Sequence, residues 1–142
     1  MSDPLYRKEL LRLAADAHGW GLLEQPNASG HAFNPACGDR VSVQLELVDG
    51  RVAGFAHETK ACVMAQASAS VLGSSLIGAT KADIEELRAN VCAMLNAASP
   101  PPSAPFDAYA AFDGAVAYQS RHRCVVLPID AVLDAFEQKD PR

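Results

Sequence analysis

Between residues 41 and 57 the chain leaves little freedom about its local fold. Val41, Val43, Leu45 and Leu47 alternate with Ser42, Gln44 and Glu46, and Asp49-Gly50 follows at once. A period of two predicts a strand with one buried face, and Asp-Gly between two such runs predicts a tight hairpin whose return strand covers 51–57. Ala53, Gly54 and Ala56 blur the two faces of that return. The hairpin has a topological effect. It carries the chain out and back, so the residues after His57 arrive beside those before Val41, which read Asn34-Pro35-Ala36-Cys37-Gly38-Asp39.

Helical periods flank this hairpin. Leu5, Leu10, Leu11, Leu13, Ala14 and Ala17 predict an amphipathic helix over 4–18, ended by Gly19. The stretch 21–31, with Pro26, Asn27, Ser29 and Gly30, has the composition of a loop. Ala65, Ala69, Leu72 and Leu76 predict a helix over 62–77 that Gly78 terminates, and its Ala and Ser content suits close packing on the sheet. Thr80 and Asp83 form a capping pair for the next helix, whose buried stripe is Ile84, Leu87, Val91 and Leu95. Cys92 lies beside that stripe and reads as a small core hydrophobe. The segment 99–105 contains four prolines and is an extended connector internal to the domain. Residues 106–117 are moderately helical with a break near Asp113-Gly114, and a last helix covers 129–136, with Pro128 in its first turn and Cys124 just upstream.

With 142 residues, 49% of them hydrophobic, the chain suits one domain spanning 1–142. A net charge of -5, with cationic residues scattered, points away from nucleic acid as a partner. No apolar run approaches the ~20 residues that span a bilayer, and the first ten residues are too charged for a signal-peptide core, so the expected location is cytoplasmic, away from the membrane. In a reducing compartment, 4 cysteines at wide spacing read as metal ligands, nucleophiles or core residues rather than a disulfide framework.

Cys37 and Asp39 set a soft thiolate and a hard carboxylate two residues apart on a turn tightened by Pro35 and Gly38. Further donors must come from elsewhere. Cys62 is expected in a first helical turn with Lys60 nearby, and Cys124 between helix start and Arg121 and Arg123; both settings favour thiolate. Three thiolates and a carboxylate suit Zn(II) or iron. With no C-x-x-C pair, spacing alone is compatible both with one shared site and with three independent thiols. Among the histidines, His122 is an alternative ligand two residues from Cys124, His57 and His31 read as surface residues, and His18 as a helix C-terminal residue.

Three separated blocks occur in order: Asn34-Pro35-Ala36-Cys37-Gly38-Asp39, then Cys62 followed by Ala67-Ser68-Ala69-Ser70, then Arg123-Cys124-Val125-Val126-Leu127-Pro128. Together they resemble the IscU/NifU-N-terminal family of iron-sulfur cluster assembly proteins over nearly the whole chain. The resemblance implies an α+β fold, a small antiparallel sheet of a hairpin plus an edge strand with several helices packed on it, and a site at one exposed end. It implies Cys37, Asp39, Cys62 and Cys124 as ligands. Within the family the chain is more similar to the SufU branch: the interval between Cys62 and Cys124 is long, Arg123 stands where IscU has histidine, and the Leu-Pro-Pro-Val-Lys motif is missing. Lys60-Ala61 departs from the glycine usual before the second cysteine.

The SufU-like resemblance implies zinc on the three cysteines and the aspartate, and sulfur accepted as persulfide from a cysteine desulfurase. The IscU-like one implies a scaffold for a [2Fe-2S] cluster passed to recipients. Cys124 is the expected persulfide acceptor, because the arginines favour its thiolate and residues 114–120 are expected to loosen its approach. A purely structural zinc domain for protein interaction is the alternative, disfavoured because closed structural sites use cysteine and histidine rather than carboxylate. A hydrolytic zinc enzyme lacks a general base and an H-E-x-x-H motif.

Overall fold

In the computed structural model, which describes residues 7–36, 38–97 and 99–138, the predicted hairpin is present. Strand β2 (Asp39–Val48) and strand β3 (Arg51–Lys60) pair antiparallel from Val48↔Arg51 to Arg40↔Lys60. Asp49 (φ 53°) and Gly50 (φ 78°) both take positive φ, the requirement of a type I′ turn. A bulge at Glu46/Leu47 adjusts the register. As the alternation predicts, Val41, Val43 and Leu45 are buried.

Part of the expected loop 21–31 is strand. Strand β1 (Ala28–Asn34) pairs antiparallel with β2 and gives the order β1-β2-β3. Its run Ala28-Ser29-Gly30-His31-Ala32 lacks β-branched residues because a helix lies almost on its backbone: a Cβ at Gly30 would fall 2.3 Å from the Ala131 carbonyl and the Ala135 nitrogen. The Asn27 side chain ties the strand's start to β2, donating to the Leu47 carbonyl and accepting from the Leu47 amide.

The helices pack on the sheet and on each other. Helix α1 (Lys8–Asp16) lies against α2 (Val63–Ser75) and buries Leu10; the first residues of its expected span lie outside the described residues. The small side chains of α2 are buried, and at Gly73 a Cβ would stand 2.0 Å from the His18 carbonyl. Helix α3 (Lys81–Ala97) starts at the predicted reciprocal cap, where the Thr80 amide donates to Asp83 and the Asp83 amide to the Thr80 hydroxyl. Ile84, Leu87, Val91 and Leu95 face the core as expected, with Cys92 half-buried beside them.

Helix α4 (Gln119–Glu137) corrects the sequence reading most. It begins ten residues before the expected 129, so Cys124 lies inside it and Pro128 is internal. An internal proline costs a helix roughly 3 kcal/mol and removes the N–H that the carbonyl of residue i−4, here Cys124, would accept. Burial outweighs that: Cys124, Val125, Val126, Leu127, Pro128 and Ile129 are all buried against α2, α3, β1 and β2. A 3₁₀ segment (Asp107–Ala115) precedes α4, and 116–118 form a non-helical link between them, so the stretch expected to loosen the approach to Cys124 is helical only at its two ends.

Candidate metal centre

The hairpin sets up the site. Because β3 returns to Lys60 opposite Arg40, the chain enters α2 beside the start of β2, and the Cys62 amide donates to Asp39 Oδ1 at 3.2 Å. Cys62 is the N-cap residue of α2, which places the carboxylate at the positive end of that helix. Packing of α4 over β1 and β2 then delivers Cys124 from the other side. One ligand atom each from Asp39, Cys62 and Cys124 lie within 4.8 Å of one another. A tetrahedral ion with bonds of about 2.0–2.3 Å holds its donors somewhat under about 4 Å apart, so the set needs only a small closure around an ion.

One polar atom makes the case chemically. Asp39 is buried, and its Oδ2 has no hydrogen-bond partner among the described residues. A buried carboxylate oxygen without a donor is costly, and a cation is the partner that such an oxygen beside two thiols fits. Cys62 is half-buried and Cys124 buried, so the set is approached from the Cys62 side. Cys37 lies outside the described residues.

The turn that carries this corner depends on a residue not singled out in the sequence. Asn34 is buried at the end of β1, paired in register with Asp39. Its side-chain oxygen accepts from the Ala36 amide and its carbonyl from the Gly38 amide, with Gly38 at φ 75°. The signal was the Asn-Pro pair, since asparagine at a turn start bonds the backbone two residues on.

A second unforeseen feature lies behind Cys124. Ser68 and Tyr109, both fully buried, form a polar pair in the core: Ser68 Oγ donates to the Val125 carbonyl at 2.6 Å and lies 2.7 Å from the Tyr109 hydroxyl. Burial pushes the Tyr109 hydroxyl's pKa far upward, so it remains a neutral donor. The pair grips α4 at the residue after Cys124, ahead of Pro128.

The histidines fall outside the donor set. In the helical Arg121–Cys124 stretch the His122 ring turns away, with Nε2 2.9 Å from the Ala115 carbonyl and Nδ1 3.2 Å from the Asn96 side chain, which removes it as an alternative ligand. His31 is exposed, as expected. His57 is not the surface residue expected: it is 2% exposed. Its Nε2–H donates to the His18 carbonyl at 3.0 Å, and its Nδ1 accepts from the Thr59 hydroxyl at 2.9 Å. Trp20 stands edge-on to its ring, and burial lowers its pKa, opposed in part by the His18 carbonyl. The role is structural, holding the segment after α1 against β3.

The sequence model of the NifU-like N terminal domain family matches residues 5–125. The iron-sulfur cluster assembly scaffold protein IscU of Thermotoga maritima is 31% identical over 74 residues, a match covering 52% of this chain and 52% of that protein, so the chain matches about half the length of this curated relative. Among solved structures, a nitrogen-fixing NifU-like protein (N-terminal) from Brucella abortus superposes with a TM-score of 0.90 at 36% identity, covering 96% of this chain and 94% of that one. A Fervidobacterium islandicum protein assigned as a SUF-system iron-sulfur cluster assembly scaffold superposes at 0.80, covering 95% and 98%; at 22% identity it bears on the fold alone.

Proposed function

Because the chain belongs to the NifU-like N-terminal domain family, we propose that it works in iron-sulfur cluster assembly, as one domain whose site is formed by Cys37, Asp39, Cys62 and Cys124. The observation that carries the reading is the buried Asp39 carboxylate, with its Oδ2 orphaned, grouped with two thiols from different helices. The group fitting these donors is Zn(II) or iron, which would keep the thiols as thiolates when bound. Asp39 is the displaceable ligand, since a carboxylate grips a thiophilic ion less firmly than thiolate.

The finer reading is a SufU-like sulfur acceptor served by a cysteine desulfurase, with the assembled cluster as cargo for recipient proteins. Cys124 is the proposed acceptor. The non-helical link at 116–118, between the 3₁₀ segment and α4, lies ahead of its turn and gives that end of α4 a place to move. Once released, the Cys124 thiolate attacks the terminal sulfur of the donor's persulfide; a new S–S bond forms at Cys124, the donor's S–S bond breaks, and the donor leaves as thiolate. Cys62, the more exposed thiol, is the competitor.

The test is anaerobic metal analysis followed by incubation with desulfurase and cysteine, with mass-spectrometric mapping of added sulfur. One ion per chain and persulfide on Cys124 are expected. Metal without any persulfide or faster desulfurase turnover would leave a structural zinc interaction domain as the better account.

A further inference from the structure

The outer face of the sheet, beside the site but not part of it, carries a row with an unusual charge. Phe33, Arg40 and Lys60 are register neighbours across β1, β2 and β3. They occupy the row immediately before Asn34 and Asp39, so their side chains point to the opposite face from the Asp39 carboxylate. Phe33 is 47% exposed with the Arg40 guanidinium 5.3 Å over its ring, and Lys60 is exposed at the row's far end. From α4, Arg123 reaches the same corner and donates to the Phe33 carbonyl at 3.4 Å. Three cations from three elements thus share one corner with an exposed aromatic ring.

Among the described residues no carboxylate forms an ion pair with Arg40, Lys60 or Arg123, although acidic residues outnumber basic ones 17 to 12. Glu58, in the next row on this face, is exposed and does not neutralise them. Elsewhere Arg7, Lys81 and Arg88 are each paired with an acid. We propose that this row is the docking surface for an acidic segment of the protein that supplies sulfur to the site, with Phe33 as its apolar anchor. The proposal rests on the sulfur-acceptor reading above. Charge complementarity selects an acidic partner for cations that have no ion pair among the described residues of a net -5 chain, and the position one residue from Asp39 and Cys124 selects a partner that must reach those ligands. An exposed aromatic ring capped by an arginine is the composition of a protein-binding hot spot rather than of a small-anion site.

The test measures binding of the zinc-loaded chain to a purified SUF-type cysteine desulfurase by fluorescence anisotropy, at low and at physiological ionic strength. Arg40→Glu and Lys60→Glu should each weaken binding about tenfold, and the parent's affinity should fall as salt rises. Phe33→Ala should weaken it similarly without altering the salt dependence. Glu86→Lys, remote on α3, should bind as the parent does. Zinc content and the visible spectrum of the cobalt-substituted protein should be unchanged in every variant, separating docking from damage to the site. Charge-reversed variants binding within about twofold of the parent, or an affinity indifferent to salt, overturn the proposal. So does a single-stranded DNA oligonucleotide that binds through the same residues while the desulfurase does not. A parent chain that binds through this row without accelerating the desulfurase upholds the docking surface and refutes the sulfur-acceptor reading.

Discussion

Replacing Ser68 with alanine removes one hydroxyl from a fully buried position and takes a partner from two groups at once. The Val125 carbonyl loses the 2.6 Å donor, and the Tyr109 hydroxyl keeps only the Ser68 carbonyl, 3.4 Å away. Each buried polar group deprived of its partner costs about 1–3 kcal/mol. The Val125 carbonyl keeps its helical donor, the Ile129 amide, so the loss is chiefly that of the Tyr109 hydroxyl and comes to about 1–3 kcal/mol. For a chain of this length that is a fall in melting temperature of roughly 3–12 °C. Tyr109→Phe, which leaves Ser68 bonded to Val125, should cost only about 1 kcal/mol. In the double variant no tyrosine hydroxyl is stranded, so the two effects should sum to more than the double loses. The assay is urea unfolding of the metal-free protein followed by circular dichroism, for all four members of the cycle. A Ser68→Ala loss below about 0.5 kcal/mol, or strict additivity, would refute the claim that this pair anchors α4.

The remaining predictions concern other elements. His57 has a folded-state pKa lowered by burial, so below its unfolded value near 6.5 the unfolded chain binds a proton that the folded one does not. Stability is therefore full above that pH and declines as pH falls toward the lowered folded value; in His57→Gln this component of the urea-midpoint slope should vanish, and an unchanged slope would contradict it. Gly30→Ala should destabilise by about 1–3 kcal/mol, since its methyl meets helix backbone that no rotamer change can clear; a neutral thermal melt would show that β1 and α4 are not in such close apposition. Cys92→Ser should retain stoichiometric metal and Cys62→Ser should lose it, by inductively coupled plasma analysis of anaerobically purified protein; the reverse result would mean the ligand set is misassigned.

What could be read from the sequence follows how local each feature's cause is. The alternation from Val41, the Asp49-Gly50 turn and the Thr80/Asp83 cap act over a few residues, and each stands where periodicity placed it. The approach of Asp39 to Cys62 followed because a hairpin's register is geometric. Strand β1 and the first half of α4 escaped because each is stabilised by the other. Gly30 and Ala32 look like loop residues until a helix packs on them, and Pro128 looks like a helix start until core burial offsets its missing hydrogen bond. His57 was misjudged for the same reason: its cover comes from Trp20 and the His18 carbonyl, far away in sequence.

The union of β1 and α4 also sets an order in which the three donors can meet. Asp39 and Cys62 are 23 residues apart and are joined through a two-residue turn, so their encounter closes short loops only. Cys124 reaches them across a far longer span, and only when α4 settles over β1. Chain entropy opposes that closure more, and contacts of wide sequence separation form late. Two of the three donors are thus brought together by the hairpin, and the whole set only by the completed fold. An ion that needs all three donors therefore binds the docked chain in preference to the undocked one, and by mass action its occupancy holds the last helix in place.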